Sequence, residues 1–143
     1  MAGIVSTEWL VERLGRAELR IIDNRGSFAV YEESHIPGAQ YVHVETLRMT
    51  GGGMPCRMHA LPVLSAIFGR LGIDDATPVV LHATRAGDHL SACYAAWSLA
   101  VTGHREFMIL DGHSKKWEAE NHPLTKLYPE IREVDYPVRF DDA

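Results

Sequence analysis

The stretch Val79-Val80-Leu81-His82-Ala83-Thr84-Arg85-Ala86-Gly87-Asp88-His89-Leu90-Ser91-Ala92-Cys93-Tyr94 decides how the rest of the chain is read. Its first residues are a short apolar run with the signature of a buried strand. Ala83 to His89 is a loop of small and polar residues. Beyond it Cys93, Ala96, Trp97 and Ala100 recur at helical spacing, and Gly103 ends the helix. A strand–loop–helix turn of this kind aims backbone N–H groups and the positive end of a helix dipole at one point, which suits an anion or a thiolate. At the strand end, where a nucleophile would stand, the residue is Ala83.

On the N-terminal side, Ser6 is placed to cap a helix that turns Leu10, Val11 and Leu14 inward and stops at Gly15. Leu19 to Asp23 is a short strand, Ser27 to Glu33 a helical turn, and His35-Ile36-Pro37-Gly38-Ala39 a turn built on Pro and Gly. Gln40 to Val44 is a second strand. Arg48 to Leu61, with the run Gly51-Gly52-Gly53, shows no periodicity and is expected to be a long loop. Leu64, Ile67, Phe68 and Leu71 then mark an amphipathic helix closed by Gly72. On the C-terminal side, Phe107 to Leu110 is a buried strand, and Asp111-Gly112 leads into a helix ending near Glu120. The remainder, His122 to Ala143, carries Pro123, Pro129 and Pro137 and ends in Asp141-Asp142, the pattern of a wrapping extension or a linker.

Strands alternating with helices predict right-handed crossovers and an α/β fold, a mostly parallel central sheet with helices on both faces. Sites in such sheets lie at the carboxyl ends of the strands, which gathers Asp23, His43, His82 and Leu110 at one rim. The 143 residues are enough for one domain with a real core, and 46% of them are hydrophobic. A net charge of −5 argues against nucleic acid as the partner. No apolar run is long enough to cross a membrane, and the N-terminus lacks the pattern of a signal peptide. The two cysteines, Cys56 and Cys93, do not make a disulfide framework, and a soluble cytoplasmic protein is expected.

Several local motifs add to this pattern. Ile22-Asp23-Asn24-Arg25 is similar to an Asp-x-Arg strand end. His35-Ile36-Pro37-Gly38-Ala39 is a distinctive turn, with Ser34 ahead of it where Gly is commoner. Leu110-Asp111-Gly112, followed by Trp117, is a strand–helix junction with His113 in place of a usual second Gly. In this order and at these separations, from Val5 to Leu124, they resemble the rhodanese (sulfurtransferase) family. The resemblance is closest to the first half of tandem, two-domain sulfurtransferases. Val5-Ser6-Thr7-Glu8-Trp9-Leu10 looks like their opening, and Met58-His59-Ala60-Leu61-Pro62 is similar to their Arg-His-x-Leu-Pro stretch, with Arg57 one place earlier. The loop from His82 to Ala92 has the length of that half.

The resemblance implies a rhodanese-like three-layer sandwich over residues 1–126, with 127–143 as a C-terminal extension or linker. It also implies that the position of the catalytic loop cysteine is the one occupied by Ala83. Such a cysteine attacks a sulfane sulfur as a thiolate and carries it as a persulfide, held by loop N–H groups and the helix dipole. Ala83 has no atom for this step. Thr84 and Ser91 are weak replacements even with His82 or His89 as base, because no third partner is evident. A cysteine-based phosphatase is excluded on the same ground. Cys93 reads as a small buried hydrophobe, and Cys56, beside Arg57, as an exposed thiol and the better of the two as a sulfur carrier.

The candidate anion-binding loop is Thr84, Arg85, Ala86, Gly87, Asp88, His89, Leu90 and Ser91, with Arg85 either closing an anion pocket or partly cancelled by Asp88. Asp23, Arg25 and His35 are expected to support the site structurally. The eight histidines are scattered, so no metal site is expected, nor any cofactor. Trp9, Trp97 and Trp117 are expected in the core. The partners implied are a second rhodanese domain or a second copy of the chain, and a small anion such as thiosulfate. The function expected is that of a domain non-catalytic on its own, supporting or regulating a sulfurtransferase site. The rival is an active sulfurtransferase using Cys56, Cys93 or a shared site.

Overall fold

The computed structural model describes residues 2–139; Met1 and residues 140–143, with the acidic end Asp141-Asp142, lie outside the described residues. The strands of the main sheet are β1 (Ala2–Val5), β2 (Arg20–Asp23), β3 (Ala39–Tyr41), β6 (Val79–His82) and β7 (Phe107–Leu110). They lie in the order β1-β7-β6-β2-β3, and every neighbouring pair is parallel. β4 (Arg48–Gly51) and β5 (Met54–Met58) form a separate antiparallel hairpin. The helices are α1 (Thr7–Val11), α2 (Phe28–Glu33), α3 (Leu61–Arg70), α4 (Leu90–Val101) and α5 (His113–Ala119).

The inner strands of the sheet are covered on both faces, and strand alternation divides their side chains between two cores. Ile22, Val79 and Leu81 face Leu64 and Phe68 of α3 and Ala92, Ala95 and Leu99 of α4. Ile21, Val80 and Met108 face Leu10 of α1, Tyr31 of α2 and Trp117 of α5. The mostly parallel sheet with helices on both faces, expected from the alternation, is therefore present.

Four local expectations need correction. Arg48 to Leu61 is not an irregular loop: Gly52 and Gly53, at φ 58° and 79°, make a tight two-residue turn that the flanking residues pair across. The strand β1 was not anticipated, because four residues at the chain start carry too little pattern. The buried stripe of α4 is Ala92, Ala95, Ala96 and Leu99, one position off the expected one for three of its four members. Consequently Trp97 is 51% exposed and no core residue, and Cys93 is only half-buried. Almost every position of α4 is small or apolar, so composition does not mark which face meets the sheet.

The segment after α5 has no regular element, yet it is closely packed. His35 and Thr125 bridge each other through their backbones. Tyr136 lies buried between Phe68 and His104, with ring centroids 5.1 and 5.9 Å away, and meets the Thr102 hydroxyl. The chain passes so close to α3 that the Val134 N–H donates to the Gly69 carbonyl at 3.0 Å.

Candidate functional site

The carboxyl ends of β2 and β6 lie side by side, with Asp23 in register with His82. Asp23 and Arg25 form a buried ion pair, Nη2 to Oδ2 2.7 Å, with side chains 0% and 3% exposed. The guanidinium also donates through Nε to both carboxylate oxygens, at 3.0 and 2.9 Å, and through Nη2 to the Ser34 carbonyl at 2.8 Å. Asn24, unremarked in the sequence, is buried and donates from Nδ2 to the Val42 carbonyl at 2.8 Å, tying β2 to the end of β3. His35 stacks on Tyr31 at 3.8 Å between ring centroids, and its two nitrogens meet the carbonyls of Tyr31 and Leu127, both at 2.8 Å. His43 stands two residues beyond β3, where its Nδ1 accepts from the Glu45 N–H and caps a single 3-10 turn.

His82 is wholly buried, 3.9 Å from Asp23 through Nε2. Burial lowers its pKa, and the neighbouring Asp23 carboxylate only partly opposes this, so the ring is neutral. Ala83 follows, also wholly buried. Its N–H donates to Nδ1 of His113 at 2.9 Å, and its carbonyl accepts from the Ser114 N–H at 3.2 Å. His113 occupies a left-handed backbone conformation, φ 57°, at the first residue of α5. The Thr84 carbonyl accepts from the Lys115 N–H at 2.9 Å and the Ser114 hydroxyl at 3.2 Å.

Two further loop donors converge on one carboxylate. The N–H groups of Thr84 and Arg85 both donate to Oδ1 of Asp88, at 3.2 and 2.8 Å. Partial burial pushes the Asp88 pKa up, but these hydrogen bonds outweigh it and hold the carboxyl below its ordinary value. Asp88 is thus an internal anion for the loop, not merely a partial counter-charge to Arg85. Residues Ala86–Asp88 make a 3-10 turn, and Leu90 and Ser91 open α4. Leu90 and Ser91 face a cavity of about 520 Å³ that Val44, Arg48, Cys93, Tyr94 and Trp97 complete. His89 faces a second cavity of about 300 Å³, shared with Ile4, Cys93, Ile109 and His113.

The rhodanese-like domain profile matches residues 6–120. The chain belongs to the rhodanese-like domain family. It is 32% identical over 152 residues to a thiosulfate sulfurtransferase from Gallus gallus, covering 96% of this chain and 52% of that protein. It is 34% identical over 136 residues to the thiosulfate sulfurtransferase of Mus musculus, covering 85% of this chain and 45% of that protein. The chain therefore spans about half the length of the curated relatives it matches. The SseA structure from Escherichia coli, described as having the rhodanese fold of 3-mercaptopyruvate sulfotransferases, superposes with a TM-score of 0.84 at 23% identity. That superposition covers 99% of this chain and 57% of the other and establishes the shared fold.

Neither thiol stands at the end of β6, where Ala83 follows His82. Cys56 is exposed on β5. Its electrostatic neighbours are Arg48 and Tyr94, whereas Arg57 is paired across the hairpin with Met49. Cys93, on α4, borders both cavities. Among the described residues, no helix is long and apolar enough to cross a membrane.

Proposed function

We propose that this rhodanese-like domain is non-catalytic by itself and supports a sulfurtransferase site carried by another rhodanese domain, in the manner of the first half of a tandem sulfurtransferase. One observation carries the reading: the strand end holds Ala83, wholly buried, and the adjacent N–H groups are engaged by His113 and Asp88. Sulfur transfer needs a thiolate that attacks the sulfane sulfur of thiosulfate, forms a persulfide and releases sulfite, with loop N–H groups turned toward the charged sulfur. Here Ala83 offers only a methyl group, and the N–H groups of Ala83, Thr84 and Arg85 are bound to groups of the chain itself. The half-length match to thiosulfate sulfurtransferases supports a second domain as partner. The free thiols Cys56 and Cys93 accord with a reducing compartment such as the cytoplasm.

The rival reading, sulfur carriage at Cys56, rests on its exposure and on its electrostatic interaction with the Arg48 guanidinium. A thiosulfate:cyanide assay on the purified chain, read as thiocyanate, separates the two. Our reading expects no turnover above the uncatalysed rate. Turnover that alkylation of the thiols abolishes would overturn it.

A further inference from the structure

Away from the loop, three side chains from distant parts of the sequence meet where α1 begins and α5 ends. One ligand atom each from Glu8, Glu120 and His122 lies within 4.8 Å of the others. We propose that Glu8, Glu120 and His122 form a binding site for a first-row divalent cation, with zinc the best match to one imidazole and two carboxylates. This inference is independent of the role assigned to the loop.

Two carboxylates on a surface would be unremarkable alone; the histidine sets this group apart. Nε2 of His122 is closed off from solvent, has no hydrogen-bond partner and points at Oε2 of Glu120 at 3.7 Å, although the side chain as a whole is 19% exposed. A buried imidazole nitrogen left unpaired is costly, and a metal ion supplies the missing partner. The other positions are held in place by the fold. Asn121, at φ 57°, takes the left-handed conformation that ends α5, and the His122 N–H closes back on the Trp117 carbonyl at 3.3 Å. The His122 ring then rests against Trp117, centroids 4.8 Å apart. Glu120 is fixed by the Thr7 hydroxyl, which is wholly buried and donates to Oε1 at 2.9 Å. That bond leaves Oε2 on the side facing the imidazole.

The chemistry suits a borderline cation. Two carboxylates and a neutral imidazole neutralise a dication and occupy three positions of a tetrahedron, leaving the fourth for water. Bonds of about 2.0–2.1 Å imply ligand atoms about 3.3 Å apart. With Glu120 held by Thr7, the exposed Glu8 is the ligand whose rotamer would close the triangle from 4.8 Å. The cation in the neighbourhood is Lys116, which acts electrostatically on Glu8 while its Nζ lies 3.4 Å from Oδ2 of Asp111. A bound ion would clasp α1 to the end of α5, and binding only to the folded state would raise stability.

Isothermal titration of the chain carrying C56S with zinc chloride in a non-chelating buffer tests this, with magnesium chloride as comparison. One zinc per chain is expected, with magnesium at least about tenfold weaker. E8Q and H122A should each weaken zinc by at least about tenfold, while H59A should leave it unchanged. A paramagnetic readout on the chain without further substitution covers the case in which a variant misfolds: cobalt should first broaden NMR signals of Thr7, Glu8, Trp117 and His122. Absence of saturable zinc binding, binding that survives both E8Q and H122A, or broadening centred elsewhere would each overturn the proposal.

Discussion

At the scale of single residues, Ala83 and Asp88 carry the functional argument. Placing a thiol at the strand end leaves the N–H groups of Thr84 and Arg85 still bound to Oδ1 of Asp88, and the N–H of residue 83 still bound to His113. A83C is therefore expected to show no thiosulfate:cyanide turnover; thiocyanate release at rates typical of an enzyme, ~1 per second or more, would refute the view that these three engaged donors disable the loop. Asp23 and Arg25 make the second residue-scale prediction. R25A leaves a wholly buried carboxylate without its partner, so it should cost about 3–5 kcal/mol, measured as a loss in urea unfolding free energy. The Asp-x-Arg pair was legible in the sequence because its two members are nearly adjacent. The engagement of Ala83 by His113 was not, since thirty positions separate them and only folding brings them together.

Among the elements, α4 and the hairpin mark where sequence patterning stops being informative. A helix that is apolar nearly all round does not declare its inner face, so the sheet, and not the periodicity, selected Ala92, Ala95 and Leu99. The glycine run did carry a turn signal, but Arg-Met-Thr alternates over too few residues, and Met-Pro-Cys does not alternate at all, so neither betrays a strand. Helix α3 yields a sharp prediction. Glycine to alanine within a helix normally gains up to about 1 kcal/mol. At Gly69 the new Cβ would lie 2.5 Å from the Val134 carbonyl oxygen of the C-terminal extension. G69A should therefore destabilise the protein, by about 1–3 kcal/mol in chemical denaturation. A more stable variant would show that the extension is not held against α3.

For the whole molecule, buried neutral histidines set the response to acid. Burial lowers the pKa of His82, His104 and His113 from the ordinary 6.5. Below about pH 6.5 the unfolded chain takes up protons that the folded chain refuses, so stability falls as pH drops through this range. Each histidine held neutral contributes a slope of at most about 1.4 kcal/mol per pH unit. Asp74 and Asp88, lowered from 3.8, add their losses only at more acid pH. Melting temperature should be nearly level from pH 8 to 7 and decline from 6.5 to 5; a flat profile across that interval would contradict neutral burial. Sequence by itself determined the alternation of strands and helices, the parallel sheet and the family, because each is written in short-range spacing. Tertiary structure alone decided that Asp88 takes up the Thr84 and Arg85 N–H groups, that Tyr136 of the extension completes a core, and that Glu8 meets Glu120 and His122. These depend on which distant side chains the folded backbone brings within a few ångströms, and local pattern does not encode that.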